Sequence, residues 1–238
     1  MRASRRFGPV AGWLSGLVLC VWLALPIPGP KAQDGEVDLA LILAIDCSFS
    51  VDSREFALQM EGLGRAFMSA DVKAAIAQGK HKRIAITAVQ WSDDQNQMVV
   101  LPWTVIAGPA DADAVGKRLR DMPRQLAQGG TSISAALRLS RTLFGLAPPA
   151  ERRVVDVSTD GRNNSGEPVQ PARDALVADD IVINGLTILN EWPTLDSYFE
   201  ANVAGGSGNF VIPATDYEDY GEAMLRKLLR EITGPGIS

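Results

Sequence analysis

The chain has 238 residues, with 28 acidic and 23 basic side chains, a formal net charge of −5, one histidine and two cysteines. That length holds one well-buried core and excludes two ordinary domains in addition to an export signal. The acidic balance argues against a nucleic acid or an anionic membrane as partner.

The opening carries Arg2, Arg5 and Arg6, then a charge-free apolar run of sixteen residues from Val10 to Leu25, then Pro26, Pro28, Pro30 and the small residue Ala32. This is the three-part layout of a secretory signal peptide. A bilayer-crossing helix needs about twenty apolar residues, so the run is short for an anchor. The expectation is a signal peptide over 1–32, a single domain over 33–235, a periplasmic or secreted location, and no stable membrane span after cleavage. Cleavage removes four basic side chains (Arg2, Arg5, Arg6, Lys31) and no acidic one, which takes the net charge to about −9. Cys20 leaves too, so Cys47 has no partner for an internal disulfide and reads as a small buried hydrophobe.

Beyond the signal the pattern alternates. Val37 to Ile45 is a near-continuous apolar run ending at Asp46, the mark of a central parallel strand covered on both faces. One helical stretch follows, carrying Phe56, Met60, Leu63, Phe67, Val72 and Ile76. Arg83 to Trp91 reads as a strand, and Met98 to Ile106 as an edge strand because Pro102 interrupts it. Asp111 to Asp121 is a short helix. After Gly129-Gly130, Thr131 or Ser132 caps a helix reaching Phe144, and Arg152 to Ser158 is another strand. Helix Pro168–Ala178, strand Ile181–Leu189, a short helix Leu195–Glu200, strand Asn209–Ile212 and helix Tyr217–Ile232 complete the series. Such alternation predicts right-handed crossovers and an α/β fold: a doubly wound, mostly parallel, Rossmann-like sheet with helices on both faces. Ligands in such folds bind at the carboxyl ends of the strands, which directs attention to the loops after Ile45, Trp91, Gln128, Thr159 and Leu189.

Those loops concentrate oxygen-bearing side chains. Asp46, Ser48 and Ser50 alternate along an extended segment and so point to one side. Thr131 follows two glycines, and Asp160 ends the strand over Arg152–Ser158. Oxygen donors without histidine or thiolate suit a hard divalent cation, Mg²⁺ first, with Mn²⁺ or Ca²⁺ as alternatives. Trp91, Asp93 and Asp94 after the second strand, and Arg162, Asn163 and Asn164 after the fourth, read as a rim where a partner is chosen; Asp93 and Asp94 read equally well as a solvated loop. Trp192 is either an exposed contact residue or packed beneath the loop. Asp156 interrupts an apolar strand, and its burial demands a countercharge, with Arg83 or Arg153 nearest in the pattern.

Asp46-x-Ser48-x-Ser50, the glycine-preceded Thr131 and Asp160-Gly161, in that chain order and each at a strand end, resemble the metal-ion-dependent adhesion site of von Willebrand factor A domains. The resemblance covers about residues 36 to 232. It implies that Ser48, Ser50 and Thr131 touch the metal, that Asp46 and Asp160 bind it directly or through water, and that a protein or peptide partner supplies a carboxylate to the open position. Arg152–Ser158, Asp160-Gly161-x-Asn163-Asn164 and Ile183–Leu186 resemble, more narrowly, a branch of exported proteobacterial A-type domains, a likeness that implies no activity.

The implied function is therefore a binding module rather than an enzyme. A serine hydrolase needs a base beside its nucleophile, and the lone histidine, His81, precedes the second strand and reads as an exposed loop residue at the wrong edge of the sheet. Asp46 to Ser53 contains no glycine, which disfavours a phosphate loop. Metal-dependent hydrolysis and a structural scaffold with a degenerate metal site stand as the alternatives.

Overall fold

The computed structural model describes residues 35–234, and the predicted signal segment and its cleavage point lie outside the described residues. Strand β1 (Val37–Asp46) leads into helices α1 (Ser53–Met68) and α2 (Ala70–Gln78), then β2 (Ile84–Trp91), β3 (Gln97–Ile106) and α3 (Pro109–Arg120). Helix α4 (Ile133–Phe144), β4 (Ala150–Thr159), α5 (Val169–Ala178), β5 (Ile181–Ile188), α6 (Leu195–Asn202), β6 (Val211–Ala214) and α7 (Tyr220–Thr233) follow. The sheet runs in the order β3-β2-β1-β4-β5-β6, parallel throughout except for β3 against β2. The doubly wound, mostly parallel α/β fold expected from the sequence is the fold observed.

Strand β1 is buried along its whole length, and period-two alternation divides its side chains between two cores. Leu39, Leu41, Leu43 and Ile45 face Phe56 and Met60 of α1, Leu119 of α3 and Leu228 of α7. Ala40, Ile42 and Ala44 face Leu137 of α4, Leu176 of α5 and Phe199 of α6. Covering both faces in this way requires the continuous apolar run that the sequence shows. From β1 the chain passes to β2 on one side, whereas the crossover through α3 and α4 delivers β4 to the other. The loops leaving β1 and β4 therefore diverge and open a crevice at the carboxyl end of the sheet.

Several predicted boundaries move for local reasons. The single helical stretch divides at Ser69, which closes α1 in extended backbone (φ −65°, ψ 151°) and caps α2 by accepting from the Val72 backbone N–H at 3.2 Å. Opposite Pro102, which has no N–H to give, the β2–β3 register shifts around Thr87, whose buried hydroxyl donates to the Leu101 carbonyl at 2.7 Å. Helix α4 begins at Ser132 without a cap from that side chain, and Asn163 accepts from the Ser134 backbone N–H at 3.1 Å in its place. A turn closed by Asn209 N to Gly206 O at 3.4 Å delays β6 to Val211.

The countercharge for Asp156 is neither Arg83 nor Arg153. Lys227 of α7, fully buried, places Nζ 2.8 Å from Asp156 Oδ1 and donates to Glu231 one turn on. Asn184 donates to the same Glu231 carboxylate at 3.0 Å. Arg153 instead donates to the Asp179 carbonyl, and Arg83 to that of His81 at 3.5 Å. Neither Asp156 oxygen has a well-angled hydrogen bond, and burial, opposed by Lys227, pushes its carboxyl up to about 7. A carboxyl raised above the usual 3.8 stabilises the fold below that value and loses the contribution as pH climbs through 7.

Lys227→Met should therefore leave two buried carboxylates uncompensated and destabilise the fold by about 3–5 kcal/mol in urea unfolding at neutral pH. The loss should shrink at about pH 5, where the orphaned carboxyls carry protons. Equal losses at both pH values would contradict this account of the cluster.

Candidate metal centre

The centre is assembled where β1 and β4 end side by side. Asp46, the last residue of β1, is fully buried; its Oδ1 accepts from the Ser48 backbone N–H at 2.7 Å, and its Oδ2 accepts from the Thr159 hydroxyl. Ser48 Oγ and Ser50 Oγ lie 3.2 Å apart, on the common side that alternation predicts. Ser50 donates to Asp160 Oδ1 at 2.6 Å, and the Tyr217 hydroxyl donates to Asp160 Oδ2 at 3.0 Å. Hydrogen bonds thus join Asp46, Ser48, Ser50 and Asp160 into one group spanning two strands.

Thr131 arrives from the loop before α4. Asn164 holds it from both sides, accepting from the Thr131 N–H at 2.8 Å and donating its own backbone N–H to the Thr131 carbonyl at 2.9 Å. A Cβ at Gly161 would stand 3.2 Å from Thr131 Oγ1, so the absent side chain after Asp160 lets the two loops approach. Among the described residues no hydrogen bond engages the Thr131 hydroxyl.

The electrostatics are unusual for a structural cluster. Burial, and then the charge of Asp160, push the Asp46 carboxyl up to about 7, against hydrogen bonds from Thr159 and Ser48. Burial also raises Asp160, against Ser50 and Tyr217. Among the described residues, every group that donates to either carboxylate is a neutral hydroxyl or backbone amide. The neighbouring guanidinium, Arg124, directs its N–H groups to the carbonyls of Cys47, Val51 and Asp52 at 3.4, 2.7 and 3.0 Å. Two buried, mutually repelling carboxylates among hydroxyl oxygens fit a hard divalent cation, which would supply the missing positive charge. The Cys47 thiol, pushed up to about 12 by burial and then by Asp46, is inert, in keeping with its reading as a small hydrophobe.

The surroundings differ from the expected rim in one clear respect. Trp91 is fully buried in the core beneath α4: as the last residue of β2 it still follows the strand's alternation, which sends its indole inward. Asp93 accepts from Gln95 N and Asn96 Nδ2, both at 2.9 Å, and closes the β2–β3 turn. Asp94 is exposed and pairs with Gln95. Asn163 and Asn164 hold the start of α4 and Thr131 respectively.

The mouth is a cavity of about 320 Å³ whose lining includes Phe49, Ser50, Thr131, Arg162, Glu191 and Trp192. Phe49 is 70% exposed and Trp192 46%, which settles Trp192 as an exposed residue; the Arg162 guanidinium stacks 5.0 Å from its ring. Phe49 was legible, because the alternation that turns Ser48 and Ser50 inward turns the residue between them outward. Tyr217 was not, since nothing local marks a side chain that reaches a carboxylate 57 positions away.

Asp46→Asn tests the repulsion directly. The amide preserves the shape and can accept from Ser48 while donating to Thr159, yet it carries no charge. In excess chelator at about pH 8, where Asp46 must ionise, the variant should be at least as stable as the parent to urea. A clear loss of stability there would mean that the carboxylate pair is already compensated within the chain.

The family model described as "Protein of unknown function (DUF1194)" matches residues 36–236. No curated protein matches the chain. Among solved structures, proximal thread matrix protein 1 from the mussel byssus superposes with a TM-score of 0.62 at 16% identity, covering 83% of this chain and 49% of that one. Another structure of that protein has a zinc-occupied MIDAS motif (TM-score 0.59, 15% identity, covering 83% and 48%). A von Willebrand factor type A structure from Catenulispora acidiphila matches with a TM-score of 0.56 at 18% identity (82% and 43% covered). The pilus adhesin SpaC from Lactobacillus rhamnosus GG matches with a TM-score of 0.61 at 12% identity (82% and 30% covered). The chain thus spans half or less of the structures it matches, and at these identities the likeness establishes the fold, which is that of von Willebrand factor A domains.

Proposed function

The chain belongs to the family described as protein of unknown function (DUF1194), and we propose that it is an exported, non-enzymatic binding module that recognises an acidic group of a protein or peptide partner through a divalent cation. The observation that carries this reading is the pair of buried carboxylates, Asp46 and Asp160, with no cationic side chain upon either among the described residues. Ser48, Ser50 and Thr131 would hold the ion through their hydroxyls, with Asp46 and Asp160 bound directly or through water. All-oxygen donors favour Mg²⁺, with Mn²⁺ or Ca²⁺ as substitutes. The ion supplies positive charge and an open position for a carboxylate oxygen.

The residues around the crevice support a partner that is acidic at one point and apolar beside it. Glu55 and Glu191 flank the site; burial first, and then neighbouring carboxylates including Asp160, raise the pKa of both. Without an ion, the uncompensated carboxylates at the centre repel an incoming carboxylate, which makes binding conditional on the cation. Phe49 and Trp192 offer exposed aromatic surface on the walls, the residue type that anchors interfaces. The zinc-occupied motif of the mussel protein and the adhesin described for SpaC lend support by analogy to ion binding and to attachment.

Thermal and urea unfolding with chelator, Mg²⁺, Mn²⁺ or Ca²⁺ test the reading. A cation at about a hundred times its dissociation constant should stabilise the protein by roughly 2.7 kcal/mol, and Asp46→Ala or Thr131→Ala should abolish the increment. A short glutamate-bearing peptide should then bind in fluorescence polarisation only with the cation present, and its glutamine counterpart should not. Trp192→Ala should weaken peptide capture while leaving the metal increment intact. Identical melting in every condition would eliminate the metal reading in favour of a scaffold.

A further inference from the structure

The chain's one histidine lies at the opposite pole of the sheet, where strands begin. The sequence reads His81 as an exposed loop residue, yet its side chain is only 20% exposed. Its Nε2 stands 3.5 Å from Glu36 Oε2 and 3.3 Å from Glu151 Oε1. One ligand atom from each of the three residues falls within 4.8 Å of the others. The fold makes this juxtaposition, because Glu36 immediately precedes β1, Glu151 stands at the start of β4, and His81 lies in the loop that enters β2, with β1 paired between the other two strands.

We infer that Glu36, His81 and Glu151 form a second divalent-metal site, of the zinc type, separate from the crevice at the carboxyl end of the sheet. Zinc takes imidazole nitrogen and carboxylate oxygen at about 2.0–2.2 Å in tetrahedral geometry, which puts neighbouring donor atoms roughly 3.3–3.5 Å apart. The two separations at His81 Nε2 have that spacing before any ion arrives. One imidazole and two carboxylates are a borderline donor set that selects zinc or cobalt over magnesium, in contrast to the all-oxygen set at Asp46. Three protein ligands leave one position for water.

The loop is held for the purpose. Asp38, near the start of β1, accepts from the backbone N–H of His81 at 2.8 Å and of Arg83 at 3.2 Å, and Arg83 Nε reaches the His81 carbonyl at 3.5 Å. Between them Lys82 adopts a left-handed φ of 54°, a conformation that persists where the surroundings fix it. The competing contact is Lys80, whose ammonium pairs with the same Glu151 oxygen. Its side chain is 70% exposed, and an exposed pair of this kind is weak and readily exchanged. A bound ion would tie Glu36, the residue before β1, to the two strands that flank β1.

Zinc itself is the probe, with the full chain and an Asp46→Ala background that disables the other centre. β1 advances about 3.3 Å per residue, so the two poles are roughly 30 Å apart and can be edited independently. In isothermal titration Asp46→Ala should still bind zinc at a single site, and cobalt in the same protein should give the strong visible absorption of tetrahedral coordination. Adding His81→Ala should weaken zinc by at least ~10-fold, the scale on which even outer-sphere changes act, and remove the cobalt bands, with circular dichroism unchanged. Glu151→Gln provides a second variant should His81→Ala fold poorly. Zinc binding that disappears in Asp46→Ala alone, or that survives His81→Ala and Glu151→Gln undiminished, overturns the site.

Discussion

Two aspartates, Asp46 and Asp160, end neighbouring central strands and are wholly withdrawn from water. Their repulsion is the constraint around which the carboxyl end of the molecule is organised. An isolated carboxylate in such a place carries a heavy desolvation cost, and the described residues offset it only with neutral donors: Ser48 N–H and Thr159 to Asp46, Ser50 and Tyr217 to Asp160. Tyr217 draws the segment before α7 into the group, and Asn164 ties in the loop that carries Thr131. Four separate stretches of chain are thereby held in register around a charge that none of them neutralises.

Strand β4 sets this against a second buried ionic group. Asp156 and Asp160 are four positions apart, so both project to the same face of the sheet, towards α7. At Asp156 the helix supplies Lys227 and Glu231, and the cluster contains its own cation. At Asp160 the helix approach supplies only a phenol. One strand therefore carries a closed ion cluster in its middle and an open one at its tip. Position explains the difference: the middle of β4 is sealed by packing on both faces, whereas its tip lies beneath the mouth that Ser50 and Thr131 line.

Two surface features extend the contrast between the poles. At the carboxyl end, exposed Phe49 and Trp192 flank the mouth beside Ser50 and Thr131, so the recognition proposed there would combine charge inversion by a cation with apolar contact. At the amino end, the His81 loop stands between two carboxylates on a frame fixed by Asp38. The donor chemistry at each pole would suit a different class of ion.

The sequence by itself determined the fold class, because a strand covered on both faces must be apolar throughout, and Val37–Ile45 is. It also marked Asp46, Ser48, Ser50, Thr131 and Asp160 as a group, since alternation along an extended segment and glycines at close approaches are local properties. Tertiary structure alone decided where the long-range partners lie. Lys227 rather than Arg83 or Arg153 answers Asp156, Tyr217 reaches Asp160, and Glu36 and Glu151 meet at His81, because strand order and helix packing, not spacing, bring those side chains together. It also buried Trp91, whose place one residue before the loop made it look like rim: at a strand's last position the pleat still governs which way the side chain points.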